Sequence, residues 1–246
     1  MQKQIIGNAT LYCGDVIDVL PLLEPGFDAV ITDPPYSSGG LNKNMRTRLP
    51  SEKYAKGTHH AEFAGENRDQ RSFAFWCTQW MTAAARLVRP AGYFMTFTDW
   101  RQLPLMTDVL QASGVLWRGI VVWDKTSQAR APHTGYFRHQ AEYIVWGSLG
   151  RLEKVEGGPF HGVITERIKP SEKLHMTGKP VWLMEELVAP LASDAIVLDP
   201  FMGSGTTALP VLARGGRFTG IELTNEYFDI ACRRIEQAQM SQDGQL

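Results

Sequence analysis

Two short stretches put reactive groups where a strand must stop. FDAVITDPPY (27–36) begins as an apolar run and ends in Asp33, two prolines and Tyr36. Proline has no N–H for a strand ladder, so the strand ends abruptly, with a carboxylate and a flat ring at its tip. Far downstream, AIVLDPFMGSGTTALPVLARGG (195–216) repeats the device. Asp199 closes a strand, Pro200 breaks it, Gly203-Ser204-Gly205 makes a tight turn, and Thr206–Arg214 begins a helix. Glycines let the backbone come close to a ligand, and free N–H groups at a helix start can face it. Twenty-three residues after Asp199, Glu222 in RFTGIEL ends the following strand. An acid there suits the two hydroxyls of a ribose.

Each motif has a plainer reading. DPPY is also a strand-ending turn with Asp as cap and Tyr in the core, and glycine pairs punctuate many turns. No lysine follows the glycines as a phosphate-cradling loop requires, and GSGTTA is not G-x-G-x-x-G. Cys13, Cys77 and Cys232 are far apart and form no CxxC pair, which argues against a disulfide framework or a zinc site. His59-His60 stands in a polar stretch without cysteine and reads as a solvated loop, so no metal is expected.

Elements able to position these tips are legible as short Val/Ile/Phe runs. They are DAVIT (28–32), YFMTFT (93–98), GIVVW (119–123), EYIVW (142–146), AIVLD (195–199) and FTGIE (218–222). Helical spacing lies between them at 75–88, 182–191 and 227–238. Buried strands alternating with helices predict an α/β fold, a mostly parallel twisted sheet with helices on both faces. Residues 37–72 and 151–173 lack that rhythm and are expected to be insertions in a single domain spanning 1–246.

A net charge of −1 argues against nonspecific coating of nucleic acid, but it hides an uneven distribution. Residues 37–76 hold seven Lys/Arg against four Asp/Glu, and 118–139 hold four against one. Segments 1–36 and 174–246, which contain the strand tips, are each −4. A locally basic face is therefore expected beside the acidic tips. No run of about 18 apolar residues exists, and MQKQIIGNATLYCGD lacks a long apolar core, so a cytoplasmic protein is expected.

In order, Asp33-Pro34-Pro35-Tyr36, HMTGKPVWLMEELV (175–188), DPFMGSGTT (199–207) and GRFTGIELTNEYFDIACRRI (216–235) resemble the DNA amino-methyltransferases. The match is to those members, dependent on S-adenosylmethionine, whose catalytic motif precedes the cofactor motif. His175, Thr177, Lys179 and Pro180 fit the group's H-x-T-x-K-P pattern. The resemblance implies a Rossmann-like methyltransferase fold with two half-sites at adjacent strand ends. It assigns Asp33, Pro34, Pro35 and Tyr36 to catalysis. To S-adenosylmethionine it assigns Asp199, Phe201, Gly203, Ser204, Gly205 and Thr206, with Glu222 on the ribose and Asp15 on the adenine amino group. Thr177 and Lys179 would close the site near the methionine carboxylate. Asp15 also reads as a simple cap for the helix VIDVL, Lys179 as a surface lysine, and Phe201 as core.

The chemistry such residues would do is methylation of an exocyclic amino group. That nitrogen is a poor nucleophile, because its lone pair is delocalised into the base. Asp33 and the Pro34 carbonyl would each accept an N–H and favour a pyramidal nitrogen, while Tyr36 would stack on a base rotated out of the duplex. Direct in-line transfer needs no cysteine nucleophile. Double-stranded DNA is the expected partner, contacted through Lys43, Arg46, Arg48, Lys53 and Lys56 after Tyr36, and through Arg130, His133 and Arg138 in 124–140. DPPY rather than SPPY favours N6 of adenine. Alternatives are cytosine N4, an RNA N-methyltransferase and a noncatalytic binding module. The resemblance allows a homodimer, and no membrane is involved.

Overall fold

The computed structural model describes residues 1–36, 68–127, 129, 133–155, 157–165, 178–242 and 244. Lys43, Arg46, Arg48, Lys53, Lys56, His59, His60, Arg130, His175 and Thr177 lie outside the described residues.

Among the described residues nine strands form one sheet: β1 (Gln2–Ile6), β2 (Ala9–Cys13), β3 (Phe27–Thr32), β4 (Val88–Thr98), β5 (Leu116–Asp124), β6 (Ala141–Ser148), β7 (Val163–Thr165), β8 (Ile196–Asp199) and β9 (Arg217–Glu222). Their order across the sheet is β1-β2-β9-β8-β3-β4-β6-β5-β7. Strands β2, β9, β8, β3 and β4 run parallel, and β7 runs parallel to β5. Strand β6 is antiparallel to both neighbours, and β1 to β2. Two antiparallel steps return β5 to the direction of β4, so the segment 124–140 leaves the sheet at the same edge as Asp33 and Asp199.

Among the described residues six α-helices cover the faces: α1 (Val16–Val19), α2 (Gln70–Ala85), α3 (Leu103–Ala112), α4 (Val181–Val188), α5 (Ala208–Ala213) and α6 (Asn225–Gln242). Strand β3 shows why both faces need cover. Ala29 and Ile31 belong to the core beneath α4, α5 and α6, whereas Val30 belongs to the core beneath α1, α2 and α3. All three are fully buried, as period-two side chains of a central parallel strand must be.

Several boundaries differ from the sequence reading, and three have a plain physical cause. Helix α2 begins at Gln70, five residues before the expected start, because the Asp69 carboxylate caps it by accepting from the Arg71 and Ser72 N–H groups, each at 3.0 Å. The expected insertion 37–72 therefore ends inside a helix. Helix α2 also stops at Ala85, because Val88 already pairs with Phe27 in β4. Strand β7 lies within the expected insertion 151–173; three residues are too few to show a period, and only pairing with β5 defines it.

Candidate active site

Parallel pairing of β3 with β8 sets Val30 beside Leu198, so Asp199 and Asp33 leave the sheet as neighbours. Thr32 locks the two tips together: its hydroxyl donates to Asp199 Oδ1 at 2.6 Å. Asp199 also accepts from the Thr207 hydroxyl at 2.7 Å and from the Phe201 N–H at 3.1 Å. It is thus the buried hub of the glycine turn rather than an open ligand group. Burial pushes its carboxyl up from 3.8 to about 6, against the opposing pull of Thr32, Thr207 and the Phe201 N–H.

That shift has a measurable sign. The folded state binds the Asp199 proton more tightly than the unfolded chain. Its contribution to stability is complete below pH 3.8 and is lost as pH rises through about 6. At about 1.4 kcal/mol per unit, the loss is about 3 kcal/mol. Asp199→Asn removes this dependence. Urea unfolding at pH 4 and pH 7 is expected to show the variant gaining about 2 kcal/mol on the wild type at the higher pH. A wild-type-to-variant difference identical at both values would refute the assignment.

Around the turn, glycine is needed at two positions for different reasons. Gly205 has φ +77°, and a Cβ there would stand 3.3 Å from Ala231 on α6. Gly203 has φ +51°, and a Cβ would meet nothing within 4 Å, so the backbone above it borders open space. Ser204 and Thr206 turn their hydroxyls inward to Arg234 of α6, at 3.2 and 2.9 Å. Arg234 was not legible as a site residue; it braces the turn from behind.

Glu222 ends β9 with Oε1 held by the Thr224 N–H at 2.9 Å and the Thr224 hydroxyl at 2.8 Å. Burial raises its carboxyl, with Thr224 and backbone N–H groups acting the other way. Cys13 of β2 pairs with Glu222, which puts the Cys13–Asp15 end of β2 beside it. Asp15 caps α1, accepting from Ile17 N–H at 2.8 Å, and it remains exposed. Phe201 packs edge-on against Trp80 and Trp76, with ring centroids 5.0 and 5.5 Å away, and stays half-buried. Open space over Gly203, acceptor carboxylates on two adjacent strand ends and a half-buried ring fit an adenosine-bearing ligand such as S-adenosylmethionine.

The neighbouring strand tip is differently built. Asp33 Oδ1 accepts from the Tyr36 phenol, and Oδ2 accepts from Lys179 at 2.5 Å. Lys179 Nζ also donates to the Tyr36 hydroxyl at 3.2 Å and pairs with Glu142 Oε2 at 3.3 Å. Its ammonium lies over the rings of Phe97 and Tyr36. The resemblance assigns Lys179 to the cofactor half; here the ammonium is committed to Asp33 and Glu142, because the chain enters α4 beside the tip of β3. With its side chain only 9% exposed, Lys179 pays for burial, yet Asp33 and Glu142 outweigh that and hold its proton more tightly than usual. Burial lifts the Asp33 carboxyl and the Tyr36 phenol, with Lys179 opposing at Asp33. Burial would lift Glu142 too, but Lys179 and Lys125 reverse the direction. Glu142 gave no sequence signal beyond its place at the start of a strand.

Outside the pocket, 133–140 borders the same edge. His133 packs on Tyr136 with centroids 4.0 Å apart, and the Arg138 guanidinium donates to the Ala129 carbonyl at 3.0 Å. Phe137 is 95% exposed and Tyr136 60%. Among the described residues no helix is long and apolar enough to cross a membrane.

Comparison with known proteins agrees with this geometry. Residues 27–153 and 156–233 match the N6_N4_Mtase family, described as DNA methylase. The Type II methyltransferase M2.DpnII of Streptococcus pneumoniae is 25% identical over 242 residues, which cover 90% of this chain and 87% of that protein. The crystal structure of the M1.HpyAVI–SAM complex superposes with a TM-score of 0.67 at 24% identity, over 92% of this chain and 98% of that one. PvuII DNA methyltransferase (cytosine-N4-specific) gives a TM-score of 0.71 at 15% identity, over 95% and 91%. At those identities the two structures speak for the Rossmann-like methyltransferase fold. The family match extends over most of the chain and includes both strand tips, so this protein belongs to the N6_N4_Mtase family of DNA methylases and is an S-adenosylmethionine-dependent DNA amino-methyltransferase.

Proposed function

We propose that the chain methylates the exocyclic N6 of adenine at a specific site in duplex DNA, with the target base rotated into the pocket beside Asp33. The observation that carries this reading is the adjacency of the Asp33 tip and the Asp199 turn, joined through Thr32. DPPY in place of SPPY supports adenine over cytosine.

In this reading, Glu222 accepts the ribose hydroxyls of S-adenosylmethionine and Asp15 its adenine amino group. Phe201 borders the adenine ring, and the backbone from Gly203 to Thr206 cradles the rest. When bound, the cofactor supplies an electrophilic sulfonium methyl group. Asp33 and the carbonyl of Pro34 accept the two N–H groups of the target and aim its lone pair, while Pro35 keeps that carbonyl rigid and Tyr36 stacks on the base. His133 and Arg138, with the exposed rings of Tyr136 and Phe137, form part of the DNA-facing edge. Lys43, Arg46, Arg48, Lys53, Lys56 and Arg130 extend it, as Thr177 extends the cofactor side. A single catalytic domain, acting in the cytoplasm and pairing as a homodimer, completes the proposal.

Labelled S-adenosylmethionine incubated with duplex DNA, single-stranded DNA and RNA, followed by digestion to nucleosides, tests it. The expected product is N6-methyladenine from duplex DNA. N4-methylcytosine, the other chemistry of this family, or label confined to RNA would overturn the adenine reading.

A further inference from the structure

Glu142 is a half-buried carboxylate, its Oε2 fully covered, that the reaction as described leaves without a task. It begins β6, and its two oxygens separate two cations: Lys125 Nζ stands 2.8 Å from Oε1, and Lys179 Nζ 3.3 Å from Oε2. Lys179 Nζ in turn stands 2.5 Å from Asp33 Oδ2. Charges therefore alternate from the reaction centre outward: Asp33, Lys179, Glu142, Lys125.

The Lys179 ammonium donates to Asp33 Oδ2 and to the Tyr36 hydroxyl, and it is ion-paired, without a hydrogen bond, to Glu142 Oε2. This matters because Asp33 already accepts from Tyr36 on one oxygen and from Lys179 on the other. A target amino group needs a lone pair that neither donor occupies. Without the Glu142 charge drawing it to the other side, the ammonium would be free to bridge both Asp33 oxygens and quench the acceptor. We propose that Glu142, steadied by Lys125, is a positioning residue for methyl transfer: it shares the Lys179 ammonium so that Asp33 keeps a lone pair for the amino group. The inference rests on Asp33 being the acceptor.

Other charged groups near the chain of four are Tyr36, Asp99 paired with Arg101 at 2.8 Å, Asp124 bound by Gln140 at 3.0 Å, and the buried Asp199. Of these only Tyr36 contacts Lys179, accepting from it at 3.2 Å while donating to Asp33.

The test is the acid limb of the single-turnover methylation rate at saturating duplex DNA and S-adenosylmethionine. Glu142→Gln removes a negative charge that disfavours ionised Asp33 and lets Lys179 close on it. The rate is expected to fall at least about tenfold, with the acid limb displaced toward lower pH and cofactor affinity unchanged. Glu142→Asp restores the limb. Lys125→Met acts in the opposite sense: with less positive charge nearby, Asp33 ionises at higher pH, and the limb moves toward alkali. That variant also decides the matter if Glu142→Gln fails to bind cofactor. A normal rate in Glu142→Gln, a slower variant whose limb has not moved, or an unmoved limb in Lys125→Met overturns the proposal. Asp33→Ala, measured alongside, separates the two ideas. If it is active, the acceptor assignment falls; if it is inactive while the Glu142 and Lys125 limbs stay fixed, only the positioning role does.

Discussion

Asp33→Ala is expected to abolish methyl transfer while S-adenosylmethionine still binds with wild-type affinity. The carboxylate lies outside the glycine turn and touches Tyr36 and Lys179, not the Glu222 side of the pocket. Its contribution is to transition-state charge: an amino nitrogen that attacks an electrophile becomes cationic, and a half-buried, pre-oriented anion within hydrogen-bond reach stabilises that change with little solvent reorganisation. Losing one such group costs about 10²–10³ in rate, and Asp33 also orients the nucleophile, so a loss of at least about 10³ is expected. The fold survives because Lys179 keeps Glu142 as a counter-charge at 3.3 Å. Transfer of label in a single turnover, read beside calorimetric cofactor binding, decides it. Turnover within tenfold of wild type would remove Asp33 from the catalytic role.

Lys179→Met should be the most damaging change to stability in the site. It leaves the Asp33 and Glu142 carboxylates together without the cation that both contact. Breaking a buried pair by removing one partner costs about 3–5 kcal/mol, because the orphaned charge keeps its desolvation penalty. In the wild type, the ammonium titrates above the usual lysine value of 10.5, so its contribution is complete below that pH and is lost only as pH rises beyond it. In the variant both carboxyls rise, and the folded state then binds more protons than the unfolded chain. Stability therefore falls as pH climbs out of the carboxylate range. Urea unfolding should show a larger deficit relative to wild type at pH 8 than at pH 5, together with a loss of transfer of at least about 10². An equal deficit at both pH values would mean that Lys179 acts through packing alone.

These two variants also show why the two halves of the site differ in what they tolerate. The glycine turn is fixed by neutral donors on Asp199 and by Arg234 on Ser204 and Thr206. The Asp33 tip is fixed by a charged network whose members answer to pH. Changes in the turn therefore act on cofactor affinity and folding, whereas changes around Lys179 act on the rate and on its pH dependence.

What the sequence by itself determined is local. A strand cut by proline, a glycine turn opening a helix and an acid one strand later are patterns within a few residues of one another, and backbone chemistry makes each nearly obligatory. Both strand tips, the central strands and the α/β class were legible for that reason. The short strands Gln2–Ile6 and Val163–Thr165 were not, since the first is mostly exposed and the second too brief to carry a period. Tertiary structure alone decided the partner of Lys179. Residues 33, 142 and 179 meet only because β6 runs antiparallel beside β4 and the chain enters α4 at the tip of β3. A lone lysine near a proline looks the same whether it faces water or two carboxylates. The difference is burial, which converts an ordinary surface cation into the element that sets the charge of Asp33.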